Sequence, residues 1–148
     1  MIDAGYLPTW NDVNNASTQD EMERLTAIIE NFLKYHFQSN SIVINGIEKN
    51  KRGTNIAYES SLLNNSTKRF YSVTTNTTSN SMTVKDLCGT TANVLTNTPE
   101  HYNRMATELW IQGTQGTSSA TVQSTSYAVV HFIDNVLLYS NSQKQPWQ

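Results

Sequence analysis

The spacing of apolar residues changes character twice along the chain. Met22, Leu25, Ile28, Ile29, Phe32, Leu33 and His36 recur three and four residues apart, which is one stripe of an amphipathic helix reaching Phe37. Thr18, followed three residues later by Glu21, fits a capping box, and Asp20, Glu21 and Glu23 set negative charge where the helix dipole favours it. This pattern predicts the one long helix of the chain. Upstream, Tyr6-Leu-Pro-Thr-Trp-Asn-Asp12 predicts a short turn or helical piece tucked against the body by Leu7 and Trp10.

Beyond Ser41 the helical spacing gives way to short β-branched runs. Residues 42–44 read as a strand closing on Asn45-Gly46, a dipeptide suited to a tight hairpin. Residues 54–63 and 68–75 read as two outer strands. In the second, Arg69, Tyr71, Val73 and Thr75 alternate with Phe70, Ser72 and Thr74, so that one face is buried only in part. Residues 82–86 and 91–95 pair across Cys88-Gly89, 101–112 reads as strand through Met105, Leu109, Trp110 and Ile111, and 113–119 as a flexible loop.

The last apolar stretch, Ser126-Tyr-Ala-Val-Val-His-Phe-Ile-Asp-Asn-Val-Leu-Leu-Tyr139, is the most continuous in the chain and predicts its central strand. It is too short, and too interrupted by His131, Asp134 and Asn135, to span a membrane. One long helix and about six to eight strands predict an α+β fold, the helix packed on a β-sandwich or rolled sheet. A single domain is expected over residues 1–148, with a flexible tail from 140.

Composition narrows the possible partners. A net charge of −2 with ten Lys plus Arg argues against a nucleic-acid groove, which needs clustered cations. A charged fraction of 15% and the abundance of Ser, Thr and Asn suit secreted or surface β proteins. The lone Cys88 forms no internal disulfide and is expected to pack as a buried free thiol. Met1-Ile-Asp-Ala-Gly5 lacks the basic start and apolar run of a signal peptide. Glycosylation sequons at Asn15, Asn64, Asn65 and Asn76 are what chance produces in an Asn-rich chain.

No chemistry stands out among the candidate side chains. His36, His101 and His131 lack zinc-ligand spacing, and there is no GxSxG elbow, no reactive-looking Cys beside a His and no pair of carboxylates on a periodic face. The expectation is therefore no catalytic residue, no metal and no cofactor. His131, in an apolar strand, is expected as a buried imidazole bonded to backbone or to Asp134, the latter requiring a turn at Asp134-Asn135. Trp10, Trp110 and Trp147 offer surfaces on which sugars could stack, although a Trp in an apolar pattern is more often core.

Two motifs carry a family resemblance. Leu33-Lys-Tyr-His-Phe37 closes the helix, and Tyr127-Ala-Val-Val-His-Phe-Ile-Asp-Asn-Val-Leu-Leu138 follows after the β segments. In this order the chain resembles the fasciclin (FAS1) domain over roughly residues 2–139, most closely its bacterial surface-protein type. The resemblance implies a non-catalytic adhesion or interaction module at a cell surface, anchored by sequence outside this chain, with a protein or polysaccharide partner. It links Tyr35 and His36 to partner binding, and it makes His131, Ile133, Asp134, Val136 and Leu137 the structural family motif. Against binding through Tyr35 and His36, His36 lies on the apolar stripe, so both could instead seat the helix on the sheet.

The chain departs from the family in lacking its opening Thr-Val-Phe-Ala-Pro-Thr-Asn-like motif. This leads to the expectation of a partial domain that begins inside the fold, as in a bacterial lipoprotein trimmed of its signal. The sheet edge left open would then invite a homodimer. The other readings of the same residues are a surface carbohydrate-binding β domain and, third, a phage structural protein.

Overall fold

A computed structural model describes residues 7–40, 42, 44, 53–78, 80–98, 100–102, 104–107, 110–112, 121–123 and 127–144. Its helices come first. Helix α1, Trp10–Asn14, starts at a reciprocal cap: the Asp12 amide donates to the Thr9 hydroxyl (3.2 Å) and the Thr9 amide and hydroxyl both donate to the Asp12 carboxylate (2.7 Å each). These bonds hold the Asp12 carboxyl below the usual carboxylate range. Leu7 is buried as expected, but Trp10 is 58% exposed and anchors nothing. It occupies the first helical position, and Val13 is the residue of this helix that turns inward.

Helix α2, Gln19–His36, is capped by Thr18, whose hydroxyl accepts from the Glu21 amide, while the Glu21 carboxylate accepts from Ser17 N (2.8 Å). The seven-residue stripe divides between two environments. Leu25 and Ile29 close with Val13 into a small cluster of their own, apart from the sheet. Leu33 is 46% exposed, and the helical side chain that enters the main core is Tyr35, which lies off the stripe. The helix is thus packed on the sheet through its last turn, and its first half is packed on α1.

Four antiparallel strands form the sheet in the order β1 (Gly53–Asn64), β2 (Arg69–Thr77), β3 (Met82–Lys85) and β4 (Thr91–Asn93). Period-two alternation sends Tyr58, Ser60 and Leu62, then Val73, Thr75 and Thr77, then Met82 and Val84 inward, with Ala92 and Val94 following. The chain is α+β, as the spacing predicts. However, β2 is an interior strand, whereas residues 68–75 read as an outer one. Its register on β1 slips between Gly53 and Ile56, where Asn55 takes a positive φ of 58° and donates its amide to Asn76 Oδ1 (2.8 Å). That is a bulge carried by a residue tolerant of the left-handed region.

Ile42 and Ile44 are buried in the core without being in a strand, and the expected Asn45-Gly46 hairpin lies outside the described residues. The same holds for the loop read over 113–119 and for Trp147.

The expected central strand is the main correction. Strand character in the stretch that begins at Ser126 covers only β8 (Tyr127–Val130), which pairs with β5 (Arg104–Thr107) and not with the four-stranded sheet. A second ribbon pairs β6 (Trp110–Gln112) with β7 (Thr121–Gln123). From residue 131 to 139 the chain is a strap laid along β4. Val94 bridges Ile133, Leu95 N donates to Phe132 O (2.8 Å) and Asp134 N donates to Asn93 O (3.0 Å). At the opposite edge residues 37–39 do the same for β1: Gln38 bridges Ser60, Ser61 N donates to Phe37 O (2.7 Å) and Ser39 N donates to Glu59 O (3.1 Å). Both edges are occupied at these positions, so the open edge expected to drive a homodimer is not found there. Residues 141–144, in the stretch read as a flexible tail, form a 3-10 turn (Asn141–Lys144), with the Tyr139 amide donating to Gln143 Oε1 (2.8 Å).

Candidate functional site

The last turn of α2 places three consecutive side chains in three environments, because each helical residue turns about 100° from the last and the helix ends at His36. Tyr35 is fully buried; its hydroxyl donates to Ser72 O (3.1 Å) and accepts from Leu87 N (3.2 Å). Burial pushes its phenol up to about 12, with Asp86 and Cys88 adding to the rise against the Leu87 bond. Its ring stands edge-on to Tyr139 at 5.8 Å, and Tyr139 meets Tyr71 at 5.6 Å. Phe37 already has extended backbone and is 62% exposed.

His36 is half-buried, and its two neighbours determine its state. Nδ1 lies 2.8 Å from Phe32 O, and a carbonyl can only accept, so Nδ1 carries the proton. Nε2 is then a lone pair, and it accepts from the Leu137 amide at 3.4 Å. Burial holds the imidazole below its ordinary value, with the Phe32 carbonyl pulling the other way.

Beside this pair sits Asp86, buried at the start of the β3–β4 turn. Its carboxylate accepts from Thr90 N (2.7 Å) and from Leu138 N (2.8 Å), 52 residues away. The turn itself is closed by Asp86 N donating to Thr90 O (2.9 Å) and by Gly89 at φ 83°, a conformation that favours glycine. No sequence signal singled out Asp86, although an Asp three residues before a Gly between two strands is a turn former with a free carboxylate.

The structural family residues divide between two places. Leu137 is buried in the core beneath His36, and Val136 is half-buried beside it, its amide donating to Asn135 Oδ1 (2.8 Å). Ile133 and Asp134 lie along β4, where Asn93 N and Nδ2 each donate to the Asp134 carboxylate at 2.7 Å, and these bonds hold its carboxyl low. His131 does not pair with Asp134; its Nε2 lies 2.6 Å from Ile42 O, which makes that nitrogen the donor, and burial lowers its imidazole too. The backbone bond expected for His131 is present, and the carboxylate partner is not, because Asp134 is committed to Asn93.

Tyr35, His36 and Leu137 therefore meet, with Asp86 and Leu87, in one joint that locks the helix end and the strap to the sheet. Tyr35, with no exposed surface, is not available to a partner. Among the described residues no group of three His, Cys, Asp or Glu is placed to hold a metal ion, and no helix is long and apolar enough to cross a membrane. Cys88 is partly exposed where a buried thiol was expected; its thiol is pushed up by burial and then by Asp86, against Lys144.

Among the described residues, one apolar solvent-facing set near the joint lies on the outer face of the sheet. Leu63 pairs with Phe70 across β1 and β2, both 40% exposed or more, and Phe37 lies opposite Ser61 two residues away on the same outward set. Lys68 and Arg69, both exposed, stand at the turn beside them. Asn64 fixes that turn: its Oδ1 accepts from Ser66 N (2.9 Å) and Thr67 N (3.0 Å). Lys68 there holds a positive φ of 56°. The sequence hid this surface, since Phe37 reads as helix and Leu63 and Phe70 read as ordinary strand residues.

No protein-family model matches the chain, and neither the curated proteins nor the solved structures include one detectably similar to it.

Proposed function

We propose that the chain is a non-catalytic adhesion or interaction module of fasciclin type that works at a cell surface and holds a protein partner through the outer face of β1 and β2. One observation carries the reading: the two motifs behind the resemblance, 101 residues apart, meet at the His36–Leu137 bond. Their side chains are used up in the joint, so recognition falls to exposed groups, namely Phe37, Leu63 and Phe70 flanked by Lys68 and Arg69. Aromatic side chains and Arg beside an apolar centre are the groups on which protein interfaces most often rest. In this reading the sheet and the two ribbons are parts of the β-sandwich or rolled sheet expected of that family.

Beads coated with the chain and presented to cells or extracellular matrix test the reading. Adhesion should fall at least tenfold with the triple change Phe37→Ser, Leu63→Ser and Phe70→Ser while the fold persists. Unchanged adhesion, or turnover of a hydrolase substrate panel, would overturn it. The exposed Trp10 favours one second reading, a polysaccharide platform. Glycan-array binding lost with Trp10→Ala would select that alternative.

A further inference from the structure

We propose that His36 is an acid-sensitive catch for the C-terminal strap: a proton on Nε2 turns the acceptor of the Leu137 amide into a second donor and releases residues 136–139 from the helix. This is independent of the adhesion reading, since it concerns how the strap is held and not what the protein binds.

The geometry leaves the imidazole one way to hold the strap. Nδ1–H is committed to Phe32 O at 2.8 Å, so the Leu137 N–H at 3.4 Å can be received only by a neutral Nε2. A protonated ring has two donors and no acceptor, and places N–H against N–H. The amide and backbone bonds of the strap do not depend on a proton. Gln143 Oε1 accepts from Tyr139 N, and Leu95 N donates to Phe132 O. His131 already donates through Nε2 to Ile42 O, so a second proton leaves that bond in place.

The titratable and charged groups around the catch can be named element by element. On α2 they are Tyr35, a neutral phenol, and the Lys34–Glu30 pair (3.0 Å) on the solvent side. On the β3–β4 turn they are Asp86 and Cys88, and on the strap Asp134, tied to Asn93, and Tyr139, whose phenol burial pushes up. Three imidazoles adjoin the strap: His36, His131, and His101, whose ring lies 5.3 Å from Phe132 and whose Nδ1 lies 2.8 Å from Asn97 Oδ1; the His36 ring is the one that receives a strap amide.

The sign follows from linkage. Burial lowers the His36 imidazole from its ordinary 6.5, so the closed strap binds fewer protons than the open one. Closure is fully favoured above 6.5 and is lost as pH falls through the lowered value. Opening uncovers Leu137 and Leu138, now 5% and 8% exposed, and separates Tyr139 from Tyr35 and Tyr71. The acid form would thus present an apolar surface that the neutral form hides.

Amide hydrogen exchange on the whole chain between pH 7.5 and 5, corrected for intrinsic rates, tests the catch. Protection of the Leu137, Leu138 and Tyr139 amides should fall by about tenfold per pH unit, the slope of one linked proton, while Tyr58 and Val73 in β1 and β2 keep theirs. The fall should begin near 6.5 and level off at the pH where nitrogen-detected spectra show His36 titrating. His36→Gln, neutral at every pH, should abolish the slope, and His131→Gln should leave it. Three results would overturn the proposal: strap protection unchanged while His36 titrates, a slope that persists in His36→Gln, or loss of protection in strap and sheet together. If His36→Gln does not fold, agreement in the wild type between the pH where protection levels off and the His36 titration decides.

Discussion

Strand β2 and the strap at 131–139 invert what their compositions suggest. β2 reads Arg-Phe-Tyr-Ser-Val-Thr-Thr-Asn-Thr, and yet Val73 and Thr75 are 1% and 0% exposed in the middle of the sheet. The strap and the strand that leads into it contain the densest apolar run in the chain, and yet Val130 and Phe132 are 40% and 46% exposed. What buries a residue here is a neighbour on both sides. β2 has ladder partners in β1 and β3, so even a threonine at an inward position is covered, with Thr75 Oγ1 near Ile56 O (3.4 Å). The strap has a sheet edge on one side only, so Phe132, Asp134 and Asn135 face water, while Leu137 and Leu138, at the joint with the helix and Asp86, are buried.

The contrast can be broken most severely at the joint. Tyr35→Ala should destabilise the chain by about 3–5 kcal/mol, since it empties a buried aromatic site and strands the Ser72 and Leu87 groups; urea unfolding measures this. Asp86→Ala comes next, at about 2–3 kcal/mol, because it leaves the part-buried Thr90 amide and the buried Leu138 amide without their side-chain acceptor. Exchange at Leu138 should rise more than in the sheet. At a smaller scale, Lys68→Gly should raise stability by up to about 1 kcal/mol by relieving a left-handed backbone, seen as a higher thermal midpoint. Smallest of all, Phe132→Ser should change stability by less than about 0.5 kcal/mol despite the apolar setting of this residue. A loss above 2 kcal/mol there would mean that the strap is core after all.

Much of the framework was legible. The span of α2 and its Thr18 cap followed from local spacing and hydrogen-bonding chemistry, as did the β1–β2 and β3–β4 hairpins. The same local chemistry caps α1 through Thr9 and Asp12. The joint was legible only as a resemblance: Tyr35-His36 and the stretch from His131 to Leu137 stood out as motifs, but nothing in their spacing indicated that they touch. Asp86 and the Phe37, Leu63 and Phe70 surface were not legible, because each depends on which strands become neighbours.

By itself the sequence determined what short-range interactions can determine: helix limits, hairpin turns, the absence of metal-ligand spacing and a low net charge. Tertiary structure alone decided which strand lies inside and which segment lies along an edge. It also decided that the imidazole of His36 is held neutral between a carbonyl of its own turn and an amide 101 residues away. The physical reason is the range of the forces involved. Propensity and capping act within a few residues, whereas burial and the protonation of a half-buried group depend on whatever the fold brings into contact with it.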